Sequence, residues 1–364
     1  MDISARLTQV ATRLIDQENA RVIVAPQRPS TGHWFGGGNL VQDAEGTLWL
    51  VGRYRNHGDS RTGLGAGERG LELAVFRSVD DGSTFEKALS LSKADLNVGD
   101  REVLSIEGTA LRLIDGKVEL YVSTEKKGIP YPKGLESFLK PGTGVWTIDR
   151  LRADAIEGLN AAPIQTILET DDPRFVHIKD PFLGSHRGKD CLLFCTHPFC
   201  WTSSNTGYVA LTGGEPSVEK ANLNFFPRGF TWDVAITRGT ALVELPRVGV
   251  CADKARSLFF YDGGECVRNL DEHAAAVKRP RGYSCEELGG VAYCEDGILD
   301  QVHRLSITGP LFVSPHGTGC SRYVDVLETE THYFATWQQA QADGSQPLVM
   351  NTVAKSEVEA ILSA

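Results

Sequence analysis

Five segments of this 364-residue chain repeat one pattern: a polar or charged residue, an alternating strand, a Gly or acidic turn, and a second apolar strand. They are GGGNLVQDAEGTLWLVGRY, SIEGTALRLIDGKVELYVS, HIKDPFLGSHRGKDCLLFCTH, TWDVAITRGTALVELPR with its continuation KARSLFFYDGG, and GCSRYVDVLETETHYFATWQ. Their leading residues are Asn39, Glu107, Asp180, Asp233 and Arg322. The separations run from about 50 to 90 residues, which suits a four-stranded sheet with variable loops. The runs LELAVFRS, GVWTIDRL, TGYVALT and GVAYCED supply third strands. Sheets repeated in this way around an axis make a β-propeller. The short strand ARVIVAP would complete the last blade, so that the two chain ends meet and no sheet edge is left open. The expected fold is therefore all-β: a single propeller of five four-stranded blades over residues 21–364, preceded by a short helix within residues 1–20. Ile3, Leu7, Val10, Ala11, Leu14 and Ile15 recur at helical spacing and predict that helix over 3–19.

Composition narrows the function classes. A net charge of −10 argues against sequence-independent nucleic-acid binding, which is driven by basic residues meeting phosphates. The first twenty residues are amphipathic and charged, with no apolar stretch of the kind a secretory signal needs, and no segment has the length of apolar residues that spans a bilayer. These features predict a cytoplasmic protein with no membrane partner. The eight cysteines form no CxxC pair and no zinc-type spacing, and read as buried thiols in a reducing compartment.

The octapeptide SVDDGSTF, Ser78 to Phe85, follows the strand LELAVFR directly. Asp and Gly are what a tight reversal requires. The full pattern Ser78, Asp80, Gly82, Thr84 and Phe85 resembles the Asp-box of sialidase-like propellers, a structural turn between the third and fourth strands of a blade. That resemblance implies no catalytic part for it.

In a propeller the starts of the innermost strands and the loops joining second to third strands share one face. The five leading residues thus become neighbours there. The matching loops are loaded. Arg53, Arg55, His57, Asp59, Arg61, Glu68 and Arg69 belong to the first, Glu125 and Lys126 to the second, His197 and Trp201 to the third, and Tyr283, Glu286 and Glu287 to the fourth. Trp232 precedes Asp233, and Tyr323 follows Arg322. Aromatic rings beside carboxylates and arginines suit a sugar site, since rings pack on the apolar faces of sugar units and charged groups take the hydroxyls. Glycosidic cleavage needs two carboxyl groups, one protonated and one ionised. Glu107, Asp180 and Asp233 supply the groups, and like-charge proximity would raise one of them. The expected substrate-binding residues are Asn39, Arg53, Arg55, Asp59, Glu125, His197, Trp201, Trp232, Glu287, Arg322 and Tyr323.

KDPFL resembles the Asp-Pro motif of five-bladed arabinanase- and fructosidase-like hydrolases. The resemblance implies that Asp180 stabilises the transition state, while a Glu from another blade donates the proton; Glu107, Glu286 and Glu287 are the candidates. The chain departs from those families at the first blade, where they place an Asp base and this sequence has Asn39. Sialidases use three arginines and a Tyr–Glu nucleophile, and Arg53, Arg322 and Tyr323 are the residues of matching type. The expected function is an exo-acting glycoside hydrolase on a small, acidic glycan. A lyase working through His57, His197, Tyr283 or Tyr323 on a uronate is one alternative, and a non-catalytic glycan- or protein-binding propeller is another. No cofactor is expected. An acidic ring is compatible with a channel metal, but no ligand spacing identifies one.

Overall fold

The structure, a computed structural model, describes residues 2–56, 69–265 and 287–364. Five antiparallel sheets form, each running outward from an innermost strand. The innermost strand of blade 1 is split into Trp34–Gly36 and Leu40–Gln42, both paired with Leu48–Arg55; Glu72–Ser78 and Glu86–Ser92 follow. Blade 2 runs Val103–Ile114, Lys117–Lys126, Val145–Ala153 and Ile164–Leu168. Blade 3 runs His177–His186, Lys189–His197, Asn205–Ala210 and Asn222–Phe226. Blade 4 runs Ile236–Glu244, Arg256–Gly264, Leu288–Glu295 and His303–Arg304. Blade 5 runs Ser321–Glu328, His332–Gln339 and Leu348–Ala354, and the N-terminal strand Arg21–Val24 pairs with Leu348–Ala354 to complete it. Each innermost strand touches the next, and blade 5 touches blade 1, so the ring is closed. The expected five-bladed propeller is the observed one.

Apolar faces of successive blades meet. Val51, Leu73 and Val75 of blade 1 pack on Ile106, Leu120 and Val122 of blade 2. At the closure, Phe334, Leu348 and Met350 of blade 5 pack on Phe35, Leu50 and Phe76 of blade 1. Between blades 4 and 5 lies the fully buried Trp337, and truncating a side chain of that size costs about 3–5 kcal/mol, a large share of an ordinary domain's margin. Packing between blades, rather than any single turn, therefore holds the ring.

The N-terminal helix, α1, spans Ile3–Leu14 and ends short of residue 19. Asp16 explains the stop: its carboxylate accepts the Glu18 and Asn19 N–H groups at 3.1 Å, a local turn that competes with helix. Leu7, Val10, Ala11 and Leu14 are buried against blades 4 and 5. A C-terminal helix, α2 (Lys355–Ser363), packs beside α1 with Val358 and Leu362 buried in the same core; sequence reading missed it. Among the described residues no helix is long and apolar enough to cross a membrane.

What positions the site is a kink repeated on every innermost strand. Pairing slips between Ile106 and Thr109, Lys179 and Phe182, Gly239 and Ala241, and Arg322 and Asp325, while blade 1 breaks at residues 37–39. Such bulges re-aim side chains. Asp180 and Tyr323 sit in them with left-handed backbones, both at φ 54°. Gly108 must lack a side chain, because a Cβ there would lie 2.6 Å from the Asp180 Cα. The leading residues expected at strand starts are thus at the kinks for Glu107, Asp180 and Arg322. Asp233 is a correction, lying outside its strand, three residues before Ile236.

The turn Ser78–Phe85 joins the third and fourth strands of blade 1. Ser78 Oγ accepts the Gly82 N–H at 2.9 Å, and Asp80 accepts from Ser78 Oγ, Thr84 N–H and Thr84 Oγ1 at 2.6–2.9 Å. Those bonds, above all the Thr84 hydroxyl's, lower the Asp80 carboxyl from 3.8 to about 2. A depressed folded value stabilises above the unfolded one and loses that contribution on acidification. Asp80→Ala should therefore lower the denaturation midpoint at neutral pH. Between about pH 4 and pH 2 the gap to wild type should close. Denaturant titrations across that range check both; a gap independent of pH would show that the carboxylate bonds contribute nothing.

Candidate active site

All five blades contribute to a pit at the channel mouth, a cavity of about 170 Å³. Blade 1 brings Arg53, Arg55 and Arg69; blade 2 brings Glu107, Glu125 and Trp146, with Lys140 and Thr143 on its loop; blade 3 brings Lys179 and Trp201. Glu287 and Arg238 come from blade 4, Arg322 and Tyr323 from blade 5. Asp180 lines a smaller cavity of about 20 Å³, and Tyr323 lines both that cavity and the pit. Among the sequence candidates the fold therefore brings together Arg53, Arg55, Glu107, Glu125, Asp180, Trp201, Glu287, Arg322 and Tyr323.

The pit is organised by two buried ion-pair groups. In the first, Glu107 Oε2 accepts from Arg53 Nη2 at 2.6 Å and Nε at 3.2 Å, and Oε1 accepts from Arg55 Nη1 at 2.9 Å. Burial alone would raise the Glu107 carboxyl, but Arg53, Lys179 and Arg55 hold it well below the usual range. In the second, Arg238 donates to Asp262 at 2.7 and 3.1 Å, to Asp180 at 3.2 Å and to Glu287 Oε2 at 2.9 Å. Arg322 donates to the same Glu287 oxygen. Burial works against the Glu287 charge, yet Arg238 and Arg322 keep that carboxyl far below its ordinary value. Burial wins at Asp262, pushed up to about 6 despite Arg238. Tyr323 joins the groups. Its ring faces the guanidiniums of Arg238, Arg53 and Arg322 at 4.1, 5.2 and 5.4 Å. Its hydroxyl lies 3.4 Å from Asp180 Oδ1.

Glu125 differs from the other glutamates. It is almost fully buried, with Oε1 taking the Gly144 N–H at 2.8 Å and Oε2 lying 2.8 Å from Arg69. Burial, aided by the negative charge of Glu107, outweighs those two favourable partners and raises its carboxyl. Arg55 is crowded by cations. Burial and then Arg53, Arg322 and Arg69 lower it to about 10 against the pull of Glu107. Its Nε and Nη2 have no hydrogen-bond partner among the described residues.

The remaining candidates fall elsewhere. Asp233 Oδ2 accepts from Arg304 at 2.8 Å and Tyr261 at 3.1 Å, a structural group outside the pit. Trp232 is buried between blades 3 and 4, donating its indole N–H to the Ser306 carbonyl at 2.9 Å and stacking on Tyr261. Asn39 bonds both backbone groups of Leu111, stitching blade 1 to blade 2. His197 lies against Trp201, its Nδ1 facing the Ser203 carbonyl at 2.9 Å, and burial keeps it neutral. His57, Asp59, Arg61, Glu68, Tyr283 and Glu286 lie outside the described residues. Sequence reading missed Arg238, Lys179, Trp146 and Asp262. A signal for Arg238 was present: Gly-Thr-Ala-Leu occurs at 108–111 and at 239–242, which aligns Arg238 with Glu107. Among the described residues no group of three or more His, Cys, Asp or Glu side chains has the geometry to hold a metal ion.

No family model and no curated protein matches the chain. Solved structures do. A structure described as a glycoside hydrolase superposes with a TM-score of 0.57 at 9% identity, covering 97% of this chain and 95% of that one. An α-L-arabinofuranosidase from Lactobacillus brevis gives 0.55 at 8% identity, covering 90% and 92%. The GH93 α-L-arabinofuranosidase of Fusarium graminearum with arabinobiose gives 0.51 at 11% identity, covering 93% and 98%. At such identities the likeness is one of fold.

Proposed function

We propose that this chain is an exo-acting glycoside hydrolase that removes an acidic sugar from a small glycan through two carboxyl groups. The observation that carries the reading is the pit itself, where Glu107, Glu125 and Glu287 converge with arginines, Lys179 and two indoles. Walls from all five blades favour a chain end over the middle of a polymer. The proposal is also in keeping with the folds it resembles, a glycoside hydrolase and two arabinofuranosidases.

Chemistry divides the carboxyl groups by environment. Glu125, raised by burial, is the proposed acid, giving its proton to the glycosidic oxygen as the C–O bond breaks. Glu287 is the proposed ionised partner. Both its arginines bind Oε2, and its side chain is 19% exposed, against 7% for Glu107 and 2% for Glu125. Oε1, which neither arginine binds, is thus the atom proposed to take the proton of the attacking water. Asp180, held by the Gly108 N–H at 3.0 Å and by Arg238, faces positive charge developing on the sugar. Glu107 then serves to fix Arg53 and Arg55. The N–H groups of Arg55 that have no partner among the described residues, with Lys179, suit the substrate's carboxylate. Of the bases a lyase could use, His197 is turned to Ser203 and Cys195, the Tyr323 hydroxyl faces Asp180 and is raised well above its ordinary value by burial, and His57 and Tyr283 lie outside the described residues. A cytoplasmic location is part of the proposal, supported by the unpaired thiols of Cys191, Cys195, Cys200, Cys251 and Cys294.

Glu125→Gln should cut turnover of glycosides with poor leaving groups by about 10²- to 10⁴-fold. Dinitrophenyl glycosides, whose leaving group needs no proton, should be hydrolysed at close to the wild-type rate. The alkaline limb of the pH–rate profile, which wild type acquires as Glu125 ionises, should vanish in the variant. Equal loss on both substrate classes would remove Glu125 from the role of acid.

Asp180→Asn keeps shape and removes charge. It should lower turnover by roughly 10²-fold or more, while product affinity weakens much less, because the ground state carries no positive charge to stabilise. Turnover and product affinity falling together would make Asp180 a binding group only.

A further inference from the structure

Glu125, the proposed acid, stands in a contact that its proton cannot share. Oε1 takes the Gly144 N–H at 2.8 Å, so the proton of the acid form belongs on Oε2. Arg69 Nη2 lies 2.8 Å from that same Oε2. A guanidinium offers donors only, and a protonated carboxyl oxygen is a donor too, so the two cannot stay face to face at that distance. The contact is one of charge rather than a hydrogen bond, since the buried Oε2 has no aligned donor among the described residues. Glu125 therefore gives up its proton while Arg69 faces it, and holds the proton when Arg69 turns away.

Arg69 has the freedom to turn. Its backbone is anchored: the Ile106 N–H donates to the Gly70 carbonyl at 3.0 Å, and Gly70 is left-handed at φ 48°, where a Cβ would collide with the Ile106 carbonyl. Its side chain lines the pit and is 14% exposed, against 2% for Glu125. The other guanidiniums are engaged elsewhere, Arg53 and Arg55 with Glu107, and Arg238 and Arg322 with Glu287. Two further charges act on Glu125: that of Glu107, on the inner strand of the same blade, favours the proton, and that of Lys179, from blade 3, opposes it. Lys140 lines the same pit from the blade 2 loop. His177, which takes the Trp146 backbone N–H, is kept neutral by burial. Arg55 stands close enough for the Arg69 charge to help depress it. An anion seated on Arg55 is therefore also within reach of the Arg69 charge, and guanidiniums bind carboxylates two-pronged.

We infer that Arg69 makes the reaction conditional on an acidic sugar: the substrate's carboxylate, held by Arg55, draws Arg69 off Glu125, and Oε2 then carries the proton that the glycosidic oxygen receives. The inference rests on the hydrolase reading above. Arg69 is a positioning residue in it, and a neutral sugar leaves Arg69 on Glu125. In the step, the bond between the anomeric carbon and the leaving oxygen breaks, and the Oε2 proton goes to that oxygen. Water supplies the hydroxyl of the released sugar, and its remaining proton goes to Glu287.

The test is calorimetric titration with the methyl S-glycosides of glucuronic and galacturonic acid, in both anomers, beside those of glucose and galactose; the thio linkage resists cleavage. Repeating each titration in buffers of different ionisation enthalpy reports the protons taken up on binding. Moving one carboxyl about tenfold toward its protonated form corresponds to roughly half a proton taken up at the optimum pH. At least one uronide should show that uptake between about pH 5 and pH 9, and the neutral glycosides should not. The uptake should vanish in Glu125→Gln, fall below about half of the wild-type value at every pH in Arg69→Met, and persist in Arg69→Lys, which keeps the charge. Uronide binding without uptake, an equal uptake with neutral glycosides, uptake that survives in Glu125→Gln or stays above that level in Arg69→Met, or its loss in Arg69→Lys would overturn the inference and leave the hydrolase reading standing. Binding of no uronide at all would overturn the acidic-sugar reading and the inference with it.

Discussion

Arg238 is the group on which most of the pit depends. Its guanidinium is buried and bonded to carboxylates from blades 3 and 4, and it lies 4.1 Å from the ring of Tyr323 on blade 5. Charges taken out of water persist only when partners surround them, and removing one partner leaves the others exposed to the full cost of burial. Asp180, Asp262, Glu287 and Tyr323 therefore hold their places because Arg238 is there. The second group, Arg53–Glu107–Arg55, does the same for blades 1 and 2. Tyr323 lies between the two, within reach of both arginine sets.

This arrangement explains how like-charged groups can act differently within one cavity. Glu107 and Glu287 each meet two guanidiniums and stay ionised. Glu125, shielded from water and close to the Glu107 charge, is pushed the other way. Burial and pairing alone thereby push neighbouring carboxyl groups in opposite directions. The same crowding leaves Arg55 short of anions among the described residues, a deficit that a substrate carboxylate would fill.

The fold was legible in the sequence because its signals are local. Alternation with period two, Gly and Asp turns and the repeated segment pattern each act over a few residues, and together they led to five blades and the closing strand Arg21–Val24. The site was legible where a polar residue stands at the kink of an innermost strand, as Glu107, Asp180 and Arg322 do. It was not legible where the kink had to be located first. Aligning segment four on Asp233 placed its polar residue five positions too early, and the side chain at the pit is Arg238. Trp232 misled for a related reason: an indole beside a carboxylate resembles a sugar platform, but burial and its bond to Ser306 make it core. The ion pairs themselves join residues far apart in the chain, such as Arg53 with Glu107 or Arg238 with Asp180, and no local pattern announces which cation meets which anion.

The proposed reaction adds water across a glycosidic bond in this pit. Digestion of a panel of acidic and neutral glycosides in ¹⁸O-labelled water, with mass spectrometry of the products, tests it most directly. Hydrolysis as proposed would leave one labelled oxygen in the released acidic sugar and none in the leaving group. An unlabelled, unsaturated product absorbing in the ultraviolet would contradict it and make the protein a lyase, and an untouched panel would make it a binding propeller.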